Sequence, residues 1–121
     1  MIESHDFVNA ILTNGGVSLD RSTGQPIEFD FGYIVSEPVP LAILPETPTI
    51  EQLDRWLPKW QKQVQSHRGA FLGAWRDDKS GSLFVDINHW YPRRDDAMDA
   101  GRRNNQLAIF HCGTNESLYL E

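Results

Sequence analysis

Asp86, Asn88, His89 and Arg94 stand close together where an alternating apolar stretch, Leu83-Phe84-Val85-Asp86-Ile87-Asn88, runs out. A carboxylate and an imidazole can move protons, an amide can orient a substrate, and a guanidinium can hold an anion. Such a set would suit a small enzyme acting on a nucleotide or nucleic acid, with Trp90 or Tyr91 stacking a base. The competing reading is structural, and it is the favoured one. A carboxylate on an apolar strand needs a partner once buried, and Arg102 or Arg103 in the next helix is the partner expected for Asp86.

Other chemistry finds less support. His5, His89, His111 and Cys112, with Asp6 and Asp86, are the candidate metal ligands. Their spacing matches neither a C-x-x-C pair nor an H-E-x-x-H helix, so no metal and no cofactor is expected. His111 and Cys112 are neighbours on a strand and point to opposite sides. Cys112 lacks a basic neighbour that would favour its thiolate, so a buried structural thiol is expected. No nucleophile elbow surrounds Ser18, Ser36 or Ser80, and the glycines build no phosphate loop.

The elements that must position these residues follow from periodicity. Phe7, Ala10 and Ile11 recur at helical spacing over residues 5–13, with Ser4 as the expected N-cap and Asn14-Gly15-Gly16 as the stop. Val17–Leu19 reads as a brief strand and residues 21–26 as a turn. Residues 27–36 alternate throughout. Ile27, Phe29, Phe31, Tyr33 and Val35 are expected on one side, with a bulge or close backbone approach at Gly32. Pro38 and Pro40 restrict Leu41–Leu44 to an edge strand or extended segment. Thr49 and Gln52 form a capping box for a helix with the stripe Ile50, Leu53, Leu57, Trp60 and Val64. Pro58 is expected to kink or divide it.

A hairpin follows, Phe71–Trp75 and Leu83–Asn88 about a turn at Asp77–Gly81. Asp95 is the expected N-cap of a last helix that buries Ala97, Met98 and Gly101. Gln106–His111 and Ser117–Leu120 complete a second hairpin. The fold class is α+β, a single domain over residues 1–121 with a mostly antiparallel sheet of short strands and two or three helices.

Charge is distributed unevenly. Residues 1–54 hold nine acids and one base, whereas residues 55–121 hold eight acids and ten bases. Glu28, Asp30, Glu37, Glu46, Glu51 and Asp54 could form an acidic face toward a basic partner, against the plainer reading that net charge −6 keeps the protein soluble. Arg93, Arg94, Arg102 and Arg103 flank the last helix, but Asp95, Asp96 and Asp99 offset them. Direct nucleic-acid binding is therefore not expected. The N-terminus has neither a basic start nor an apolar core of a signal peptide. No apolar run reaches the ~20 residues of a membrane span. One cysteine fits a reducing cytosol.

Several segments together carry a resemblance. These are Asn14-Gly15-Gly16, Gly32-Tyr33-Ile34-Val35-Ser36, Phe71-Leu72-Gly73-Ala74-Trp75, Val85-Asp86-Ile87-Asn88, and Ala100 with Asn105-Gln106-Leu107-Ala108-Ile109-Phe110. In them the chain resembles a group of small uncharacterised proteins of bacteriophages, prophages and actinobacterial mobile elements. The resemblance implies a bacterial or infected-cell cytoplasm and an accessory role, and transfers no catalytic residue. The function expected is that of a non-catalytic protein-binding modulator. Its binding residues would be the six acids above with Trp90 and Arg94, and its target a basic, nucleic-acid-binding protein. A small enzyme at Asp86, Asn88, His89 and Arg94 is the alternative, and a homodimer sharing its aromatic residues is a third.

Overall fold

The computed structural model describes residues 1–120. Among them are helices α1 (Ser4–Asn14), α2 (Ile50–Gln65) and α3 (Arg94–Arg103). The strands are β1 (Gly16–Leu19), β2 (Tyr33–Ser36), β3 (Ala42–Leu44), β4 (Phe71–Arg76), β5 (Leu83–Tyr91), β6 (Ala108–His111) and β7 (Glu116–Tyr119). They form one antiparallel sheet in the order β1-β4-β5-β2-β6-β7. The fold is α+β.

β5 is the spine. One of its edges pairs with β4 from Leu83 to Asn88, while the other is shared end to end by β3 and β2. The break between them falls at Glu37-Pro38-Val39-Pro40, where Pro cannot donate to a ladder. The strand is held through the break by Glu37 N–H to the Ile87 carbonyl and Leu41 N–H to the Val85 carbonyl.

Every helix packs on the same face of this sheet. Leu83, Val85 and Ile87 of β5 and Leu72 and Ala74 of β4 join Phe7 and Ile11 of α1 and Leu53, Leu57, Trp60 and Val64 of α2 in one core. Val35 of β2 and Ile109 of β6 join Ala97 and Ala100 of α3 in a second. Val35 lies opposite His89, in the same row of β5 as Ile87, so the two cores sit side by side on one surface. Gly101 lets α3 come close, since a Cβ there would lie 2.6 Å from Leu120.

Local signals mostly operate as expected. Thr49 and Gln52 exchange both capping-box bonds. Gly15 takes φ 80° and closes α1. Asp77 accepts from the Ser80 hydroxyl and N–H, which holds the hairpin turn and keeps its carboxyl below the usual range.

Four expectations need correction. Ser4 does not cap α1; Glu3 stands at that position, and the buried Ser4 hydroxyl donates to Asp54 of α2. Asp95 does not cap α3, which starts two residues earlier, at Arg94 behind Arg93. Pro58 does not divide α2, whose buried stripe continues through it, although Ile50 itself is exposed. Residues 27–31 are not strand. Gly32, at φ 84°, turns the chain against the Trp90 indole, so Phe29 and Phe31 meet the opposite side of the sheet from Tyr33 and Val35.

Candidate functional site

Strand alternation leaves the other face of the sheet without a helix. Its positions are Gly16 and Ser18 of β1, Phe71, Gly73 and Trp75 of β4, and Phe84, Asp86, Asn88 and Trp90 of β5. Ile34 and Ser36 of β2, Ile43 of β3, Ala108 and Phe110 of β6, and Ser117 and Tyr119 of β7 complete it. One end is roofed by the chain entering β2. Phe29 stacks on Trp90 at 5.6 Å and leans on Phe71 at 5.3 Å, and the Trp90 Nε1–H donates to the Phe31 carbonyl at 2.9 Å. The remainder is open: Ile43 is 55% exposed, Trp75 45% and Tyr119 78%.

At the centre of this face lies Asp86. Its cross-strand neighbour is Gly73, and the Asn88 amide lies over that glycine, in the space a side chain there would take. Trp75 stacks flat on Phe84 at 4.7 Å and donates its Nε1–H to Asp86 Oδ2 at 3.1 Å. Beside it, Asn88 accepts from the Ser36 hydroxyl at 2.7 Å. Burial pushes the Asp86 carboxyl above its ordinary value, and the Trp75 bond offsets part of that. Asp86 is the single charged residue among the strand positions of this face; among the described residues no Lys or Arg stands there.

The expected partner of Asp86 is therefore corrected. Arg102 and Arg103 belong to α3, on the far side of the sheet, and Arg102 approaches Asp99 instead. The four residues of the enzyme alternative do not converge either. Asp86 and Asn88 face the open side, His89 faces the helices, and Arg94 opens α3 in solvent. Both flanks of Trp90 are occupied by Phe29 and Phe31, and Tyr91 packs with the α3 core.

The six acids are likewise spread out. Glu28 and Asp30 flank Phe29 on the open side, Glu46 lies between β3 and α2, and Glu51 and Asp54 are on α2. Glu37 is held elsewhere, at the seam of the two cores. Its Oε2 accepts from His89 Nε2 at 2.8 Å and His67 Nδ1 at 3.1 Å. His67, in the turn after α2, was not singled out by spacing, because the three residues come from distant segments. The legible hint was His89 itself, a polar residue continuing the row Leu83, Val85, Ile87.

His5 lies with Glu3 and Asp6 in an exposed cluster at the start of α1. His111 stacks on Tyr33, and Cys112 is buried, which pushes its thiol up. Two open hollows of about 410 and 440 Å³ lie away from Asp86: one between residues 1–5 and α2, the other beside Arg102, Gln106 and Leu120. Among the described residues no helix is long and apolar enough to cross a membrane.

This is a two-layer α+β protein with helices on one face of an antiparallel sheet and a mostly apolar, singly charged surface on the other. No family model matches the sequence, and neither a curated protein nor a solved structure is significantly similar to it.

Proposed function

We propose that this is a binding protein, and that it engages its target through the helix-free face of the sheet. The observation that carries the reading is the composition of that face: exposed aromatic and aliphatic side chains around one buried carboxylate and no strand-borne base. Apolar area of this kind favours association. The unpaired negative charge selects what associates. A partner segment that brings apolar side chains and one Lys or Arg would lay its cation on the Trp75–Phe84 pair and beside Asp86. The target is thus a protein with a basic segment, and Glu28 and Asp30 at the rim add attraction at longer range. We place the activity in the phage or mobile-element setting that the resemblance implies, where an accessory protein acting on a basic, nucleic-acid-binding partner has a role.

The test is selection of peptides from a random library on the wild-type protein, counter-selected against a Trp75→Ala/Asp86→Asn variant. Winners should combine apolar residues with Lys or Arg and should weaken as salt rises. Winners without a basic residue, or an affinity that the two substitutions leave unchanged, would refute the reading.

A further inference from the structure

We infer that β7 is a docking edge for a second copy of this chain, which lays its own β7 antiparallel against it about a two-fold axis at Leu118. Three strands of the sheet have an outward edge: β1, β3 and β7. They are treated differently. Along β1, Ile27 N–H donates to the Ser18 carbonyl and Asp20 N–H to the Gln25 carbonyl, so residues 25–27 cover it. β3 is only three residues long and stands between Pro40 and Pro45. Short length and flanking proline are usual guards of a free edge. β7 has no proline and no lysine, and among the described residues no segment pairs with its outer side.

What this edge presents follows from its register. Ile109 pairs with Leu118 and Ala108 with Tyr119, and Leu120 N–H donates to the Leu107 carbonyl. The main-chain groups of Leu118 and Leu120 therefore point to β6, and those of Ser117 and Tyr119 point outward. An axis at Leu118 sets Ser117 against Tyr119 of the second copy, so every outward N–H and C=O of these residues is paired. Leu118 meets its own counterpart on the helix side, beside the α3 core that it borders. The axis stands perpendicular to the sheet, which keeps the helices of both copies on one side and both Asp86 faces on the other.

Charge selects this register. Glu116 is the one charged residue of β7, and it shares the helix side with Leu118 and Leu120. About Leu118 it falls opposite Leu120 of the second copy. There lies the hollow of about 440 Å³ that Leu120 lines with Arg102, Gln106 and Leu107. Arg102 is exposed, and its approach to Asp99 is a loose 3.7 Å, so its guanidinium is available to the incoming carboxylate. Leu107, which is 82% exposed, borders the same hollow and is shielded by the added strand. An axis at Glu116 would set the two glutamates against each other, and one at Ser117 would hold Glu116 beside Leu118, away from Arg102. A contact of this length is at the small end of specific interfaces, so the dimer is weak, with Kd in roughly the micromolar range.

Sedimentation equilibrium across protein concentration tests the edge on wild type and on the Ser117→Pro, Glu116→Arg and Arg102→Glu variants. Circular dichroism checks that each is folded. Wild type should pass from monomer to dimer as concentration rises. Ser117→Pro removes an outward N–H and none of the bonds to β6, so this variant should stay folded and monomeric. Each charge reversal sets like charges together at both symmetry-related contacts and should weaken self-association by about 10-fold or more. The Glu116→Arg and Arg102→Glu proteins mixed in equal amounts should associate as tightly as wild type, because opposite charges then meet at both contacts. This complementation leaves the backbone untouched and keeps the result readable if the proline variant fails to fold. A wild type that stays monomeric at millimolar concentration, a Ser117→Pro protein that dimerises as wild type does, or a mixture no tighter than its components would overturn the docking edge. Peptide binding at the Asp86 face needs no second copy, so the two results stand or fall separately.

Discussion

The two faces of the sheet use the same amino-acid types to opposite ends. On the helix-covered face, Leu72, Leu83, Val85 and Ile87 are buried beneath α1 and α2. On the open face, Trp75, Phe84 and Ile43 are as apolar, yet they meet no helix, and a carboxylate sits among them. The first face accounts for stability, because its side chains leave water completely. The second gains little from folding, since much of its surface stays wet. The difference separates what holds the molecule together from what it can offer a partner.

The largest expected effect sharpens that contrast. Phe7 is fully buried between α1 and the sheet, and Phe7→Ala should cost about 3–5 kcal/mol in chemical denaturation. Ile43→Ala, on the exposed β3, should cost under about 1 kcal/mol. A comparable loss at both positions would mean that the open face is covered in solution, as in a homodimer pairing sheet to sheet, and light scattering would then show the doubled mass.

A second substitution tests how the open face is bounded. Gly32 has φ 84°, and a Cβ there would lie 2.4 Å from Trp90 Nε1. The left-handed backbone costs an alanine roughly 1–2 kcal/mol, and the clash adds about 1–3 kcal/mol. Gly32→Ala should therefore destabilise the fold and shift the Trp90 fluorescence as the Phe29–Phe31 roof lifts. An unchanged spectrum and melting point would mean that residues 27–31 do not hold this position.

Much of this was legible in the sequence, and the misses have identifiable causes. Each helix was visible because capping and a 3.6-residue period act locally: Thr49 with Gln52, Gly15 after α1, Asn104-Asn105 after α3. The hairpins were visible because turn residues mark them. Residues 27–31 misled because their alternation is genuine, and only the tertiary fit of Gly32 against Trp90 reverses their direction. The side on which Asp86 faces was not legible either. Alternation says which residues share a face of β5 but not which face the helices choose, so Arg102 and Arg103 seemed within reach. The Glu37–His67–His89 cluster depends on three segments meeting, which no local spacing encodes.

The smallest effect, and the most discriminating, belongs to Asp86. Its carboxyl is raised by burial, so the folded protein holds this proton more tightly than the unfolded chain does. Stability from this group is complete below the unfolded value near 3.8 and falls as pH climbs through the raised folded value. At neutral pH the ionised Asp86 is therefore a net cost to the fold. Asp86→Asn keeps an acceptor for the Trp75 Nε1–H and removes the charge. The variant should be slightly more stable than wild type at pH 7, by no more than about 1 kcal/mol, and should lose that advantage in acid. Melting curves across pH would show the two proteins converging as pH falls. A structural carboxylate behaves in the opposite way, and its replacement destabilises at neutral pH. A charge kept where it weakens the fold is what a binding surface requires, since the cost is recovered only when a cation arrives.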